Sequence, residues 1–138
     1  MIGEPGDNVF VTPLDHHAYY VLVDDLRIGD DELLARYDAC LIQQTSWSSR
    51  QAVVKVTRDL DRKALIQRFN VINREIGDPV ITGLRHPFRL AGFRNMKPKY
   101  LRDDGLRPFV RPTHMANRYC PKLAEEVRSI QPQRALTP

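Results

Sequence analysis

The sequence lacks the features that mark secreted, membrane-spanning and zinc-binding proteins. Its 138 residues contain two cysteines, Cys40 and Cys120, and neither belongs to a C-x-x-C pair. This excludes a disulfide framework and a cysteine-rich zinc site. No apolar run approaches the roughly 18 residues of a membrane span, and the N-terminus has no apolar signal-peptide segment. These absences predict a cytoplasmic protein with no membrane partner.

Common catalytic motifs are also missing. The chain has no G-x-x-x-x-G-K-[ST] phosphate loop, no G-x-S-x-G nucleophile elbow and no H-E-x-x-H metal motif. The pair His16-His17 has no histidine partner at helical i, i+4 spacing, so it indicates a surface position. A catalytic site in this chain would therefore not be built on any of these three motifs.

Charge is distributed unevenly along the chain. Residues 1–78 carry 9 Lys/Arg against 13 Asp/Glu, and residues 79–138 carry 12 against 4. An acidic half and a basic half are typical of a protein in which carboxylates bind metal while a neighbouring surface binds a polyanion. The alternative is a solvated basic tail.

Hydrophobic patterning predicts five strands and three helices. The strands fall at residues 9–12, 18–25, 40–45, 50–57 and 107–111, and the helices at 31–37, 60–76 and 121–130. Asp59 is the expected N-cap of the long helix and Gly77 its end. Asp78 then predicts a short helical turn up to Gly83, followed by an extended loop over residues 85–105. This order indicates an α+β fold, with a mainly antiparallel sheet flanked by helices on one side, in one domain of residues 1–138.

Two adjacent acids, Asp24 and Asp25, come at the end of an apolar strand. Because side chains alternate along a strand, both can reach one metal ion only if the strand ends or bulges there. Asp78 becomes a third candidate if the long helix returns the chain to this strand end. Three such carboxylates would bind two Mg²⁺ or Mn²⁺ ions. The alternatives are ordinary ones: a turn with a solvated Asp, and a helix boundary at Gly77-Asp78.

The stretch of residues 85–100 is rich in groups that bind phosphate. Guanidinium and ammonium groups bind phosphate oxygens, and aromatic rings stack on bases. The candidates are His86, Arg89, Arg94, Asn95, Lys97 and Lys99, interleaved with Phe88, Phe93 and Tyr100. A solvated loop whose phenylalanines pack into the core is the alternative. The predicted hairpin around Trp47 could likewise hold a nucleotide or form a polar turn.

Taken in order, these segments resemble one known family, the RepB-type plasmid primase domain of the archaeo-eukaryotic primase superfamily. The resemblance covers roughly residues 18–100. It rests on residues 21–26, on residues 44–51, on Gly77-Asp78 and on residues 86–100. The run from Arg89 to Tyr100, R-L-A-G-F-R-N-M-K-P-K-Y, is its most specific part.

The resemblance implies a primase-polymerase catalytic core of the RRM-like type. Such an enzyme makes short primers from nucleoside triphosphates on single-stranded DNA for plasmid, phage or mobile-element replication, with Mg²⁺ or Mn²⁺ as cofactor. By position, Asp24, Asp25 and Asp78 become catalytic metal ligands. The implied nucleotide and DNA contacts are Thr45, Ser46, Gln51, His86, Arg89, Arg94, Asn95, Lys97 and Lys99.

Three features depart from the pattern of the family or of its superfamily. The acids Asp24 and Asp25 are adjacent, as in the plasmid branch, whereas the superfamily usually spaces them by one residue. Trp47 lies in a turn where a Pro-Gly-Asn type is common, and Ala91 replaces a frequent proline. The short chain leaves open a fragment or a minimal module that works with a helicase or a helical accessory domain. A non-catalytic nucleic-acid-binding module and a metal-dependent nuclease are the rival functions.

Overall fold

A computed structural model gives the architecture of the chain. It describes residues 10–11, 16–81, 84, 88–89, 95–96, 99, 102 and 106–130. The strands are β1 (Phe10–Val11), β2 (Ala18–Val23), β3 (Leu41–Gln44), β4 (Arg50–Thr57), β5 (Phe88–Arg89) and β6 (Arg111–Met115). The helices are α1 (Asp30–Arg36), α2 (Arg62–Ile76) and α3 (Pro121–Ile130).

Four of the strands form one antiparallel sheet in the order β2-β4-β3-β6. β4 is central because it pairs with β2 on one side and β3 on the other, and its residues 51–54 are all buried. The predicted hairpin is confirmed, with Leu41 opposite Val53 and Gln44 opposite Arg50. Strands β1 and β5 pair separately, so the predicted loop of residues 85–105 contains a short strand.

The last strand lies further along the chain than predicted. The sequence predicts a short edge strand at residues 107–111, on the basis of its flanking prolines. The strand instead begins at Arg111, and the carbonyl of Pro108 accepts a hydrogen bond from the backbone N–H of Asn95, 2.6 Å away. Its position at the sheet edge was predicted correctly and accommodates Pro112, which has no N–H to donate.

All three predicted helices are present, but α1 lies one residue earlier than expected and α2 differs at its start. α2 begins two residues later than expected, and its N-cap is Asp61, whose Oδ2 accepts a hydrogen bond of 3.0 Å from the Ala64 N–H. Asp59 instead lies 3.6 Å from Arg128 of α3. The short turn after α2 forms as predicted at its start, where Asp78 Oδ1 accepts from the Val80 N–H at 2.9 Å. Gly83 lies outside the described residues.

The core lies between the sheet and helices α2 and α3. Both helices contact the sheet, α2 at β2 and α3 at β4, and they also contact each other. Leu65 and Phe69 of α2 and Leu123 and Val127 of α3 are fully buried against it. Burial of such side chains stabilises the fold by about 1.5–3 kcal/mol each. The predicted α+β fold, an antiparallel sheet with helices on one side, is confirmed.

This topology brings three chain segments to one end of the sheet. Because β2 and β4 are antiparallel, the last residue of β2, Val23, lies opposite Ala52 near the start of β4. The β3–β4 turn and the C-terminal end of α2 are at this same end. Among the described residues, no helix combines the length and the apolar character needed to cross a membrane.

Candidate active site

Three carboxylates meet at this end of the sheet. Asp24, Asp25 and Asp78 each offer one oxygen, and these three oxygens lie within 4.8 Å of one another. Asp24 and Asp78 are half-buried, whereas Asp25 is exposed. The structure therefore brings together the three acids that the sequence singled out, with 52 residues between the Asp24-Asp25 pair and Asp78.

The backbone at Asp25 explains how two adjacent acids face the same way. β2 ends at Val23, so the alternation of side chains along a strand no longer applies. Asp25 then adopts a left-handed conformation with φ of 46°, which Asp tolerates better than most residues. Its N–H donates a hydrogen bond of 3.0 Å to Asp24 Oδ1. The strand end required by the sequence prediction is present.

Gln51 orients the first of these acids. Its Nε2 donates a hydrogen bond of 2.9 Å to Asp24 Oδ1, and its Oε1 accepts one of 3.2 Å from Gln43 Nε2. Both glutamines are buried. A buried amide held at its own oxygen has little freedom to rotate, so Asp24 is held in one orientation.

Asn73 of α2 secures the backbone before the acids. This fully buried side chain accepts from the Asp24 N–H at 3.3 Å and donates to the Leu22 carbonyl at 2.9 Å. The end of β2 would otherwise carry two unpaired polar groups in the core. Sequence reasoning missed Asn73, although a polar residue at the core-facing position four after Phe69 was a usable signal.

Gly77 allows α2 to end directly against the strand. A Cβ at this position would lie 2.5 Å from Asn73 Oδ1, 2.8 Å from Val23 Cγ1 and 2.9 Å from the Asp24 carbonyl oxygen. The Arg27 N–H also donates to the Ile76 carbonyl at 2.8 Å. The absence of a side chain at Gly77 is therefore what places Asp78 beside Asp24.

The loop after the acids is held by β4. The Leu26 N–H donates to the Arg50 carbonyl at 2.8 Å. The Arg50 guanidinium pairs with Asp30 and donates to the Ile28 carbonyl at 2.5 Å. Arg50 therefore acts as a structural clamp, a role that sequence analysis did not assign.

Two predicted contact residues lie inside the hairpin. Thr45 and Ser46 are buried, and Ser46 Oγ accepts from the backbone N–H of Ser48 at 3.4 Å and of Ser49 at 2.9 Å. These bonds make Ser46 the residue that shapes the turn. A direct contact of Thr45 or Ser46 with a nucleotide stays a prediction.

The tail of residues 86–100 is described only in part. Asn95 is buried, and its Nδ2 donates to the Thr45 carbonyl at 2.5 Å, which fastens the tail to the hairpin. Lys99 is exposed. The backbone of Arg89 pairs with Phe10 in the β1–β5 ladder. His86, Arg94, Lys97 and the side chain of Arg89 lie outside the described residues, so their roles stay predictions.

The acid cluster has the chemistry of a divalent-cation site. Mg²⁺ takes oxygen ligands at about 2.1 Å, so two ligands of one ion lie at most about 4.2 Å apart. The 4.8 Å within which the three oxygens lie is close to that limit, and small side-chain rotations would close it. Asp24, Asp25 and Asp78 therefore fit Mg²⁺ or Mn²⁺ as ligands.

Comparison with known proteins identifies the family. The model of the RepB DNA-primase N-terminal domain matches residues 2–136. A DNA primase of Acidithiobacillus ferrooxidans is 33% identical over 122 residues, which cover 85% of this chain and 35% of that protein. Mobilization protein A of Escherichia coli is 34% identical over 109 residues, covering 76% of this chain and 15% of that protein. The chain thus spans a minor part of both relatives.

Solved structures show the same fold. The crystal structure of primase RepB' has a TM-score of 0.68 at 24% identity, covering 88% of this chain and 43% of that one. The catalytic domain of primase RepB' in complex with initiator DNA has a TM-score of 0.69 at 25% identity, covering 96% and 71%. These matches confirm the predicted α+β fold as that of the RepB' primase catalytic domain, and with it the resemblance found in the sequence. The chain belongs to the RepB DNA-primase N-terminal domain family.

Proposed function

We propose that residues 1–138 form a single catalytic domain of a DNA primase. It would join nucleoside triphosphates into short primers on single-stranded DNA, in the cytoplasm, during replication of a plasmid, phage or related mobile element. The observation that carries this proposal is the convergence of Asp24, Asp25 and Asp78 from two distant segments, in a chain of the RepB primase family.

The three acids would hold Mg²⁺ or Mn²⁺. When bound, the two cations of a two-metal mechanism would neutralise triphosphate charge and activate the attacking 3′-hydroxyl of the growing primer. The chain's own contribution is positioning, since Gln51 and Asn73 hold Asp24 in place from two sides. Fixed carboxylates need no reorganisation when the nucleotide arrives, which favours catalysis.

The basic half of the chain would bind the nucleic acid and the incoming nucleotide. Residues 79–138 carry an excess of eight positive charges, which would make DNA binding strongly salt-dependent. A relative in this fold was crystallised with initiator DNA, and we extend that ligand class to this chain. We assign phosphate contacts to His86, Arg89, Arg94, Lys97 and Lys99. A helicase or a helical accessory domain would be the further partner.

The primary test is primer synthesis. Purified protein is incubated with single-stranded DNA, labelled nucleotides and Mg²⁺ or Mn²⁺, beside the Asp24→Asn/Asp78→Asn variant. Short labelled products from the wild type alone are expected. Asp59→Asn, at the opposite end of α2, is the matched control and should retain full activity, because its ion pair with Arg128 is exposed.

Other outcomes would contradict the proposal in distinct ways. DNA binding without synthesis in either protein would indicate a non-catalytic binding module. Acid-dependent cleavage of DNA without added nucleotides would indicate a nuclease. The three carboxylates repel one another at close range, and a bound Mn²⁺ ion would relieve this repulsion. We therefore also expect Mn²⁺ to raise the melting temperature of the wild type and not that of the double variant.

A further inference from the structure

An open groove lies at the same end of the sheet as the acid cluster, on its β6 side. It has a volume of about 330 Å³, at the lower end for sites that bind small molecules or single bases. Three apolar side chains on it are unusually exposed, with Trp47 at 39%, Leu106 at 44% and Phe109 at 48%. Its lining residues are Gln44, Trp47, Leu106, Arg107, Pro108, Phe109 and Arg111, called here the aromatic groove.

Cationic side chains surround this apolar surface. The Arg102 guanidinium lies over the Trp47 ring, 4.5 Å from its centroid. Arg111 donates twice to Gln44 Oε1, at 3.1 and 3.0 Å, which holds its guanidinium at the groove. The described lining includes two arginines and no acid. Such a surface favours a ligand that combines flat apolar rings with negative charge.

The aromatic groove and the acid cluster share one end of the sheet. Asp24 follows β2, Trp47 lies in the β3–β4 turn, and Arg111 begins β6 opposite Gln44. From β2 to β6 there are three strand spacings of about 4.8 Å, or about 14 Å. This equals about four stacked nucleotides at about 3.4 Å each, and fewer in a stretched strand.

We propose that the aromatic groove binds single-stranded DNA a few nucleotides from the acid cluster. Bases would stack on Trp47 and Phe109, and Arg102, Arg107 and Arg111 would contact the phosphates. Every base has an aromatic face, so stacking of this kind holds a strand whatever its sequence. The inference rests on the proposed function, because it assigns to this groove the strand that the primase domain would copy.

Trp47 is the sole tryptophan of the chain and therefore reports on its own surroundings. The chain is titrated with oligo-dT without nucleotides, while tryptophan emission and the anisotropy of a labelled oligonucleotide are recorded. We expect emission to be quenched along the same binding curve as the anisotropy. Binding that leaves the emission of Trp47 unchanged would overturn the proposal.

Substitutions separate stacking from loss of folding. Phe109→Ala and Trp47→Ala are each expected to weaken binding by about 5- to 150-fold, whereas Trp47→Phe should retain most of the affinity. The matched control is Tyr119→Ala, which removes an exposed ring near the opposite end of β4, where it lies over Lys55. Equal losses of affinity for oligo-dT in Phe109→Ala and Tyr119→Ala, with unchanged melting temperatures, would show that the aromatic groove is not a specific binding site for bases.

The acid variant distinguishes this inference from the proposed function. Asp24→Asn/Asp78→Asn should bind oligo-dT and quench Trp47 as the wild type does, because neither acid lines the aromatic groove. Quenching of Trp47 without primer synthesis in the wild type would support DNA binding at the aromatic groove and contradict the proposed function. Primer synthesis without quenching of Trp47 would support the proposed function and contradict DNA binding at the aromatic groove.

Discussion

The Gln51 amide and the Asp24 carboxylate are joined by a hydrogen bond of 2.9 Å. Gln51 lies near the start of β4 and Asp24 directly after the end of β2. The Gln51 amide is held in turn by Gln43 of β3. Three neighbouring segments of the sheet thus determine the orientation of one carboxylate.

Gln51→Leu should impair catalysis more than stability. The variant retains the apolar bulk but loses the donor to Asp24 Oδ1, so we expect a 10- to 100-fold loss of primer synthesis or of Mn²⁺ affinity. Metal titration and single-turnover synthesis measure the two effects. Gln67→Leu, the same substitution at an exposed position of α2, should be neutral. Equal activity of the two variants would show that Gln51 does not position Asp24.

Gly77→Ala should destabilise the fold and move the acids. The added Cβ would lie 2.9 Å from the backbone oxygen of Asp24, which cannot rotate away. We expect a loss of about 1–3 kcal/mol in the free energy of unfolding, together with weaker Mn²⁺ binding. Gly29→Ala is the control, because nothing lies within 4 Å of a Cβ built there. Its effect should stay within about 0.5 kcal/mol.

Asn73→Leu should destabilise the fold, whereas Asn70→Leu should not. The first would leave the Leu22 carbonyl and the Asp24 N–H without their partner, at a cost of about 1–3 kcal/mol. The second would remove a buried Oδ1 that has no hydrogen-bond partner within the described residues, so it should be neutral or stabilising. Denaturant unfolding of both variants measures the difference. Equal losses would contradict a specific role for Asn73.

Tyr37→Phe should alter the pH dependence of stability. Burial, and then the hydrogen bond of 2.6 Å to Glu126, raises the pKa of Tyr37 to about 12. An unfolded tyrosine has a pKa near 10. The neutral phenol of Tyr37 therefore makes its full contribution to the free energy of unfolding below about pH 10, and this contribution is lost as the pH rises towards 12. The shift of about two units corresponds to about 2–3 kcal/mol.

Denaturant unfolding between pH 8 and pH 11.5 tests this expectation. The wild type should lose stability more steeply above pH 10 than Tyr37→Phe does. Tyr119→Phe, at an exposed tyrosine, controls for the general effect of alkaline pH. Parallel curves for the wild type and Tyr37→Phe would show that the phenol of Tyr37 does not titrate differently in the folded state.

Local patterning predicted the elements of this protein but not all of their ends. The hairpin, the long helix and the final helix were identified because their apolar residues recur with periods that belong to single elements. The N-cap at Asp61 was not predicted, because Asp59 lies two residues earlier and is also suited to cap the helix. The start of β6 was not predicted either, because it depends on the pairing of Arg111 with Gln44 of β3, which is distant in sequence.

The candidate metal ligands were evident in the amino-acid sequence, because carboxylates at strand and helix ends form a recognisable pattern. The position of Asp78 beside Asp24 depends instead on tertiary packing, through the close approach at Gly77. The roles of Asn73, Arg50 and Gln43 also depend on tertiary contacts. Their hydrogen bonds join segments far apart in the chain, and no local periodicity encodes such contacts.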